Sequence, residues 1–179
     1  QWGADTQFIG DHVLHGASVK GIFPLYSATV TGTDALYGAT VEGAYALSDA
    51  TVTGKQALKK AKVLGNYALR LSTVNGRGAL SDATVKGYLA LDGATVKGDY
   101  ALADATVSGF GALSDASVEG KSALYCATVT GKSALYRATV KGDSALSDAS
   151  VEGKDALDGA TVEGAYALIW STVKGEKAL

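Results

Sequence analysis

The sequence predicts an all-β protein, a single parallel β-solenoid (β-helix) that occupies residues 1–179 as one domain. Three observations support this fold. An 11-residue pattern repeats without a break from residue 6 to residue 179, each copy carries a glycine at the same place, and charged and aromatic residues match best at a spacing of 22. We therefore expect two copies per 22-residue coil and about eight coils.

Each copy reads Ala-Thr-Val-x-Gly-x-x-Ala-Leu-x-x, and we number its positions 1 to 11 from the first Ala. Position 5 is glycine in all sixteen copies, from Gly10 to Gly175, and position 9 is leucine in all sixteen, from Leu14 to Leu179. Position 3 is valine in every copy except the first, which has Phe8. So strict a pattern indicates that every copy has the same place in a regular array.

An 11-residue period is also typical of right-handed helical coiled coils. One glycine per copy argues against helices, because each costs about 1 kcal/mol relative to alanine. Ala-Thr-Val instead predicts a short strand with Ala and Val inward and Thr outward. Position 5 then makes a corner, position 9 anchors a second strand, and positions 10 and 11 make a second corner. The representative core residues and corner glycines that we predict are Val30, Leu36, Val52, Leu58, Val85 and Leu91, with Gly32, Gly54 and Gly87.

The coil length follows from which side chains would lie above one another on neighbouring coils, about 4.8 Å apart. A spacing of 33 would stack four aspartates, and a spacing of 11 would place Lys86 on Lys97. A spacing of 22 mostly alternates opposite charges and stacks aromatic rings. Its predicted columns are Lys97, Glu119, Lys141 and Glu163; Arg77, Asp99, Lys121 and Asp143; and Phe23, Tyr45, Tyr67 and Leu89.

The Ala-Thr-Val-x-Gly half of each copy is similar to the five-residue unit of the pentapeptide-repeat proteins. The resemblance implies a four-sided, right-handed β-helix with a small and a larger aliphatic residue pointing inward. It covers about half of every copy, since the x-x-A-L-x-x half adds a sixth residue and departs from the pattern. The resemblance therefore concerns the fold and implies no function.

Composition disfavours several functional classes. The net charge is −2 with both signs interspersed, so we expect neither nucleic acid nor an anionic membrane as a partner. No apolar run approaches the roughly 18–20 residues that cross a membrane. Cys126 is the single cysteine, with no histidine in its own or an adjacent coil, and the two histidines, His12 and His15, occupy variable positions. We therefore expect no enzyme, no catalytic or metal site and no cofactor.

The first residue is Gln1 rather than methionine. We expect from this a processed mature form or a segment of a longer array. An extracellular or cell-surface protein is the location we predict.

The ends of the array are the strongest functional signal. Solenoids usually carry polar caps, but the repeat fills this chain, which predicts two exposed strand edges. Bulky apolar residues gather near both ends, at Trp2, Phe8, Ile9, Ile22 and Phe23 and at Ile169, Trp170 and Leu179. We expect a structural protein that binds itself head to tail and forms a filament or rod. The alternative for these residues is that they fold over the ends as minimal caps.

Two other functions stay open. Threonines at position 2 form a file on one face, Thr29, Thr51, Thr73 and Thr95, which resembles the Thr files of ice-binding proteins. Position 4, two residues later, is often Glu or Lys, which does not match an uncharged ice-binding strip. The other alternative is a rigid interaction scaffold or effector whose charged columns bind an unknown protein.

Overall fold

The computed structural model describes residues 5–177, in which each copy contributes one three-residue strand and no helix occurs. Each strand spans positions 2 to 4 of its copy. The strands are β1 (Gln7–Ile9), β2 (Ser18–Lys20), β3 (Thr29–Thr31), β4 (Thr40–Glu42), β5 (Thr51–Thr53), β6 (Lys62–Leu64), β7 (Thr73–Asn75), β8 (Thr84–Lys86), β9 (Thr95–Lys97), β10 (Thr106–Ser108), β11 (Ser117–Glu119), β12 (Thr128–Thr130), β13 (Thr139–Lys141), β14 (Ser150–Glu152), β15 (Thr161–Glu163) and β16 (Thr172–Lys174).

The strands form two parallel sheets of eight, one from the odd-numbered and one from the even-numbered strands. Neighbouring strands within a sheet are 22 residues apart, as in the pairing of Val30 with Val52. The predicted parallel β-solenoid of about eight 22-residue coils is thus confirmed. At about 4.8 Å per coil the rod is roughly 40 Å long.

The core is a narrow column of alanine, valine and leucine between the two sheets. Positions 1, 3, 8 and 9 of each copy point inward, and twelve leucines are fully buried. The six representative core residues, Val30, Leu36, Val52, Leu58, Val85 and Leu91, are each 0% exposed. Serine replaces the core alanine at Ser72, where its hydroxyl donates to the carbonyl of Leu69 at 2.7 Å, so the buried oxygen keeps a partner.

The second strand predicted in each copy does not form, and positions 6 to 11 are turns instead. Position 7 is left-handed in every described copy except at Phe23, which precedes Pro24 and is therefore restricted to other backbone angles. Position 11 is left-handed in all fifteen described copies, as at Asp49, where φ is 56°. At least two left-handed residues in this segment of each fully described copy bend the chain too sharply for an extended strand, so turns connect the sheets.

The turns still bond from coil to coil, in two variants. The Leu36 N–H donates back to the Val13 carbonyl of the preceding coil at 2.8 Å. The Leu80 N–H donates forward to the Ala101 carbonyl of the following coil at 2.6 Å. Leu36 is left-handed, with φ 60°, and Leu80 is not, so the peptide before position 9 takes two orientations that both satisfy its N–H.

The invariant glycine column has a steric cause. A Cβ built on Gly54 would lie 2.0 Å from the carbonyl oxygen of Gly32 in the preceding coil, and one on Gly87 would lie 1.9 Å from that of Gly65. Gly32 is in the same situation with respect to Gly10, at 2.1 Å. Consecutive glycine peptides therefore stack more closely than any side chain at position 5 permits.

The charged columns at position 4 match the prediction. Lys97 Nζ lies 3.2 Å from Glu119 Oε2, and Lys141 Nζ lies 3.3 Å from Glu163 Oε2. All of these side chains are partly exposed, so each pair contributes at most about 1 kcal/mol. Their main effect is to fix the alignment of neighbouring coils, because a shifted coil would bring like charges together.

Two predicted columns differ from the structure. The Asp99 carboxylate accepts the backbone N–H of Lys121 at 2.9 Å, and the backbone groups of the described residues offer this N–H no acceptor. Asp99 is thus an acceptor for a corner amide rather than part of an ion ladder. The aromatic column continues from Tyr67 to Tyr88, with ring centres 5.8 Å apart, rather than to Leu89. It moves from position 7 to position 6, because Tyr88 has the ring in that coil.

Candidate assembly surfaces at the two tips

Each tip of the rod consists of one coil. The N-terminal tip is residues 6–27, with strands β1 and β2, and the C-terminal tip is residues 160–177, with strands β15 and β16. These four strands pair on one side only, with β3, β4, β13 and β14, among the residues that the structure describes. Within residues 5–177, neither a helix nor a further strand covers a tip.

The backbone polarity of the two tips is complementary. In the body of the rod, a position 2 N–H donates to a position 1 carbonyl of the preceding coil, as from Thr51 to Ala28 at 2.9 Å. A position 5 N–H donates to a position 4 carbonyl of the following coil, as from Gly54 to Asn75 at 2.9 Å. The N-terminal tip therefore directs position 2 donors and position 4 acceptors outward. The C-terminal tip directs the matching position 1 acceptors and position 5 donors outward.

Large apolar side chains surround the N-terminal tip. Ile9 is 72% exposed and Ile22 is 71% exposed. Phe23 is half-exposed, and its ring stacks on Tyr45 with centres 5.1 Å apart. Phe8 is half-buried and packs against the end of the core, where the other copies have valine. Trp2, predicted for the same surface, lies outside the described residues.

The C-terminal tip has a similar set. Trp170 is 78% exposed, and Leu168 is 44% exposed although its counterparts in the middle of the rod are buried. Ile169 is half-buried, and Leu179 lies outside the described residues. Sequence reasoning missed Tyr166, which is 73% exposed. It occupies position 7, as Phe23 does but on the side of the other sheet, and a bulky ring at this corner position so near the end of the sequence was the signal that would have found it.

Charged side chains end the position 4 columns at each tip. On the N-terminal tip, Lys20 Nζ lies 2.9 Å from Glu42 Oε2. On the C-terminal tip, Glu163 is paired with Lys141, and Lys174 Nζ lies 3.6 Å from Glu152 Oε1. Each of these pairs joins neighbouring coils of one sheet, so three of the four ends of the position 4 columns are charged side chains, and the fourth is the apolar Ile9.

The threonine file is continuous. Thr29, Thr51, Thr73 and Thr95 are consecutive register partners across β3, β5, β7 and β9. Position 4 of β3, β5 and β7 adds uncharged Thr31, Thr53 and Asn75. Three adjacent strands thus present an uncharged face, which ends where the charged position 4 residues of β9, β11, β13 and β15 begin.

Other features of the rod offer little chemistry. A shallow cleft of about 400 Å³ opens beside Gly78, which, like Gly111, lacks the side chain that the other copies have at position 7. Charged and polar residues line it, with Lys59 Nζ 3.9 Å from Asp82 Oδ2.

The two histidines lie on the surface near the N-terminal tip. His12 Nδ1 lies 3.8 Å from Asp34 Oδ2, and the His15 ring stacks on Tyr37. Among residues 5–177, no group of three or more His, Cys, Asp or Glu side chains is arranged to hold a metal ion. The described part of the chain also has no helix that is long and apolar enough to cross a bilayer.

The two tips are therefore the surfaces where exposed apolar side chains and complementary backbone groups coincide. No known protein-family model matches this chain, and no curated protein matches its sequence.

Proposed function

We propose that the protein is a structural subunit that assembles with copies of itself, head to tail, into a rod or filament. The solenoid fold is consistent with a structural or scaffold role. The observation that carries the proposal is that, within residues 5–177, the strands β1, β2, β15 and β16 pair with other strands on one side only, beside exposed apolar side chains. A contact between two different tips leaves a new tip at each end of the dimer, so growth continues.

The energetics favour assembly that depends on concentration. Burying one large apolar side chain contributes about 1.5–3 kcal/mol. A junction that buries Ile9, Ile22, Phe23, Tyr166 and Trp170 would gain about 10 kcal/mol on that scale, against an association cost of about 4–15 kcal/mol. Eight or so additional ladder hydrogen bonds shift the balance further toward association.

The proposal assigns no catalytic activity and no cofactor, and names the chain itself as the partner. An extracellular or cell-surface location stays a prediction from the sequence.

The test is assembly of the full-length protein as its concentration rises, followed by light scattering and electron microscopy. Trp170→Lys should raise the concentration needed for assembly, because it places a charge on the C-terminal tip. Leu71→Lys is the matched control, since Leu71 has the same repeat position, is 49% exposed and lies in the middle of the rod. Monodisperse monomers of the unaltered protein at millimolar concentration would overturn the proposal. So would equal weakening by both substitutions.

Ice binding is the second candidate, and the uncharged face of β3, β5 and β7 favours it. Threonine pairs there are about 7 Å apart along each strand and about 4.8 Å apart between strands. Thermal hysteresis of the purified protein is the measurement. Thr51→Tyr should abolish an activity based on this face, whereas Thr106→Tyr, at an exposed threonine of the other sheet, should preserve it. Absence of hysteresis in the unaltered protein would exclude this function.

A further inference from the structure

We propose that the cleft beside Gly78 binds an acidic sugar, one that carries a carboxylate or a sulfate ester. The cleft extends over three coils, and the residues that line it lie between Lys55 and Asp104 in the sequence. It offers groups for binding rather than for catalysis. The cleft is in the body of the rod, so the inference does not depend on assembly at the tips.

The charges of the chain are unevenly distributed along the rod, although they nearly cancel overall. Between Asp49 and Asp82 the chain has six of its sixteen basic residues and none of its eighteen acidic ones. The six are Lys55, Lys59, Lys60, Lys62, Arg70 and Arg77. From Lys55 to Arg77 is little more than one coil, so these residues form a positively charged band around an otherwise acidic rod. Lys55, Lys59 and Arg77 line the cleft.

Lys55 and Arg77 form the cationic side of the cleft. They are successive members of a position 6 column, about 4.8 Å apart at the backbone, so like charges are adjacent where the column from Arg77 to Asp143 alternates. Neither forms an ion pair with a carboxylate among the residues that the structure describes. The Arg77 guanidinium carbon instead lies 6.0 Å from the centre of the Tyr100 ring. An acid group between the two cations would relieve their repulsion and would accept two parallel hydrogen bonds from Arg77.

Two carboxylates line the other side of the cleft. Asp82 and Asp104 are neighbours in a position 11 column, at the end of the turn segment that begins at position 6, and both are exposed. Carboxylates accept hydrogen bonds from hydroxyl groups. They repel the closely spaced phosphates of a nucleic acid and the headgroups of an anionic membrane. A ligand with one acid group and several hydroxyls therefore suits both sides, and an acidic sugar has this composition.

The floor of the cleft is open because Gly78 has no side chain. A built Cβ there would have Ser81 Oγ at 3.4 Å and Gln56 Cγ at 3.7 Å as its nearest neighbours, so a side chain would fit and its absence leaves room for a ligand. Tyr100, at the same position of the next coil, lines this space and is 38% exposed. The electron-rich face of a tyrosine ring attracts the C–H groups of a sugar ring. The volume of about 400 Å³ is within the range of roughly 300–1,000 Å³ that is typical of small-molecule sites.

The first test is isothermal titration calorimetry of the full-length protein with four probes. They are a galacturonic acid tetrasaccharide, a heparin tetrasaccharide, the neutral cellotetraose, and a thymidine oligonucleotide with the charge of the heparin fragment. At least one acidic sugar should bind about tenfold or more tightly than the neutral sugar and the oligonucleotide, and the preferred one identifies the acid group as carboxylate or sulfate. Equal binding of cellotetraose, tighter binding of the oligonucleotide, or no binding of either acidic sugar would overturn the inference.

A matched pair of charge-neutralising variants tests the cationic side. Arg77→Gln keeps a polar side chain and should weaken acidic-sugar binding about tenfold to a hundredfold, the loss expected for one charge-assisted contact. Lys132→Gln is the control, since Lys132 also has position 6 and its Nζ lies 5.8 Å from the centre of the Phe110 ring, outside the cleft. Equal weakening by both substitutions would show that overall charge rather than the cleft attracts the sugar, and would contradict the inference.

A third variant fills the cleft without changing any charge. Gln56 and Tyr100 have φ 57° at position 7 and Gly78 has φ +63°, so the fold accommodates Gly78→Gln. This variant should keep the circular dichroism of the unaltered protein and lose measurable binding of the acidic sugar. Ser133→Gln adds the same side chain at position 7 outside the cleft, with φ 58° at Ser133, and should preserve binding. Unchanged affinity in Gly78→Gln would locate the sugar elsewhere and refute the assignment of this cleft.

Discussion

Four glycine-to-alanine substitutions at position 5 separate two destabilising effects of a side chain at this corner. One is backbone strain from a positive φ, and the other is steric overlap of the new Cβ with the preceding coil. Gly21 has a φ outside the left-handed range and nothing within 4 Å of a built Cβ. Gly10 has φ +142° but also nothing nearby. Gly87 has a φ outside the left-handed range, but a built Cβ would lie 1.9 Å from the Gly65 carbonyl oxygen. Gly54 combines φ +150° with a built Cβ 2.0 Å from the Gly32 carbonyl oxygen. Alanine would therefore meet backbone strain alone at Gly10, steric overlap alone at Gly87, both at Gly54 and neither at Gly21.

The expected losses in the free energy of unfolding follow from these contacts. Gly21→Ala should be neutral or stabilise by about 0.4–1 kcal/mol through the unfolded state. Gly10→Ala should cost about 1–3 kcal/mol in backbone strain. Gly87→Ala must push two bonded coils apart, which costs about 1–3 kcal/mol in overpacking and about 1 kcal/mol in a weakened ladder bond. Gly54→Ala should cost about 3–7 kcal/mol, a large share of the roughly 5–15 kcal/mol that stabilises a typical domain.

The assay is urea unfolding followed by circular dichroism at a concentration below that of assembly. Gly10 and Gly21 lie in the same tip coil and are compared with each other, because tip coils open more easily than the interior. Gly87 and Gly54 are compared in the same way within the body. If Gly87→Ala were as stable as the unaltered protein, the steric explanation of the glycine column would be refuted. If Gly10→Ala matched Gly21→Ala, backbone strain would have no part in it.

Three further predictions concern the body of the rod. Leu91→Ala should cost about 2–5 kcal/mol in urea unfolding, because Leu91 is fully buried and the two sheets limit collapse around the cavity. Burial raises the pKa of Asp92 above 3.8, although the Arg70 guanidinium, 3.1 Å away, opposes the shift. The protonated carboxyl is thus favoured in the fold, and its stabilising contribution is lost as pH rises above about 4. Asp92→Asn lacks this titration, so its melting temperature should rise relative to that of the unaltered protein as the pH increases from 3.8, and a relative fall would show that the attraction to Arg70 dominates. Asp99→Ala should cost about 0.5–1.5 kcal/mol by removing the acceptor of the Lys121 N–H, with little dependence on salt, whereas Asp99→Asn should keep most of that stability. A strong salt dependence would restore the ion-ladder interpretation.

The coil length could be predicted from the sequence because only one alignment of neighbouring coils pairs most of the opposite charges. Lys97 and Glu119 stabilise one alignment of neighbouring coils and disfavour the others, so the order of residues along the chain is enough to reveal their spacing. The core was equally predictable, since inward position 3 is valine in every copy but the first, as at the buried Val52. Both features depend on residue type at a fixed period.

The backbone conformation of the turns could not be predicted in this way. Position 7 admits Asp34, Tyr45 and Gln56 with nearly the same left-handed φ, so its conformation has no compositional signature. The usual marker of a left-handed residue is glycine or asparagine. Here coil-to-coil hydrogen bonds hold other residues in that region, and tertiary structure overrides local preference. The same reasoning explains Asp99, whose backbone partner is invisible in a pattern of charges.

Tyr166 shows how the candidate surface was only partly predicted. Counting bulky residues near the chain ends found Ile22 and Trp170 but overlooked a tyrosine, because tyrosine is common along the whole rod. Exposure distinguishes it, since the residues of the described coils leave most of this ring uncovered.

The two sheets are alike inside and different outside, and this limits how the gene could change length. Inserting a single 11-residue copy would deliver every later Val, Leu and Gly to an equivalent inward or corner place, so folding would tolerate it. The same insertion would transfer every outward column beyond it to the opposite face of the rod. Lineages under selection for folding alone would therefore drift through odd and even copy numbers. Lineages that depend on a surface would gain or lose copies in pairs.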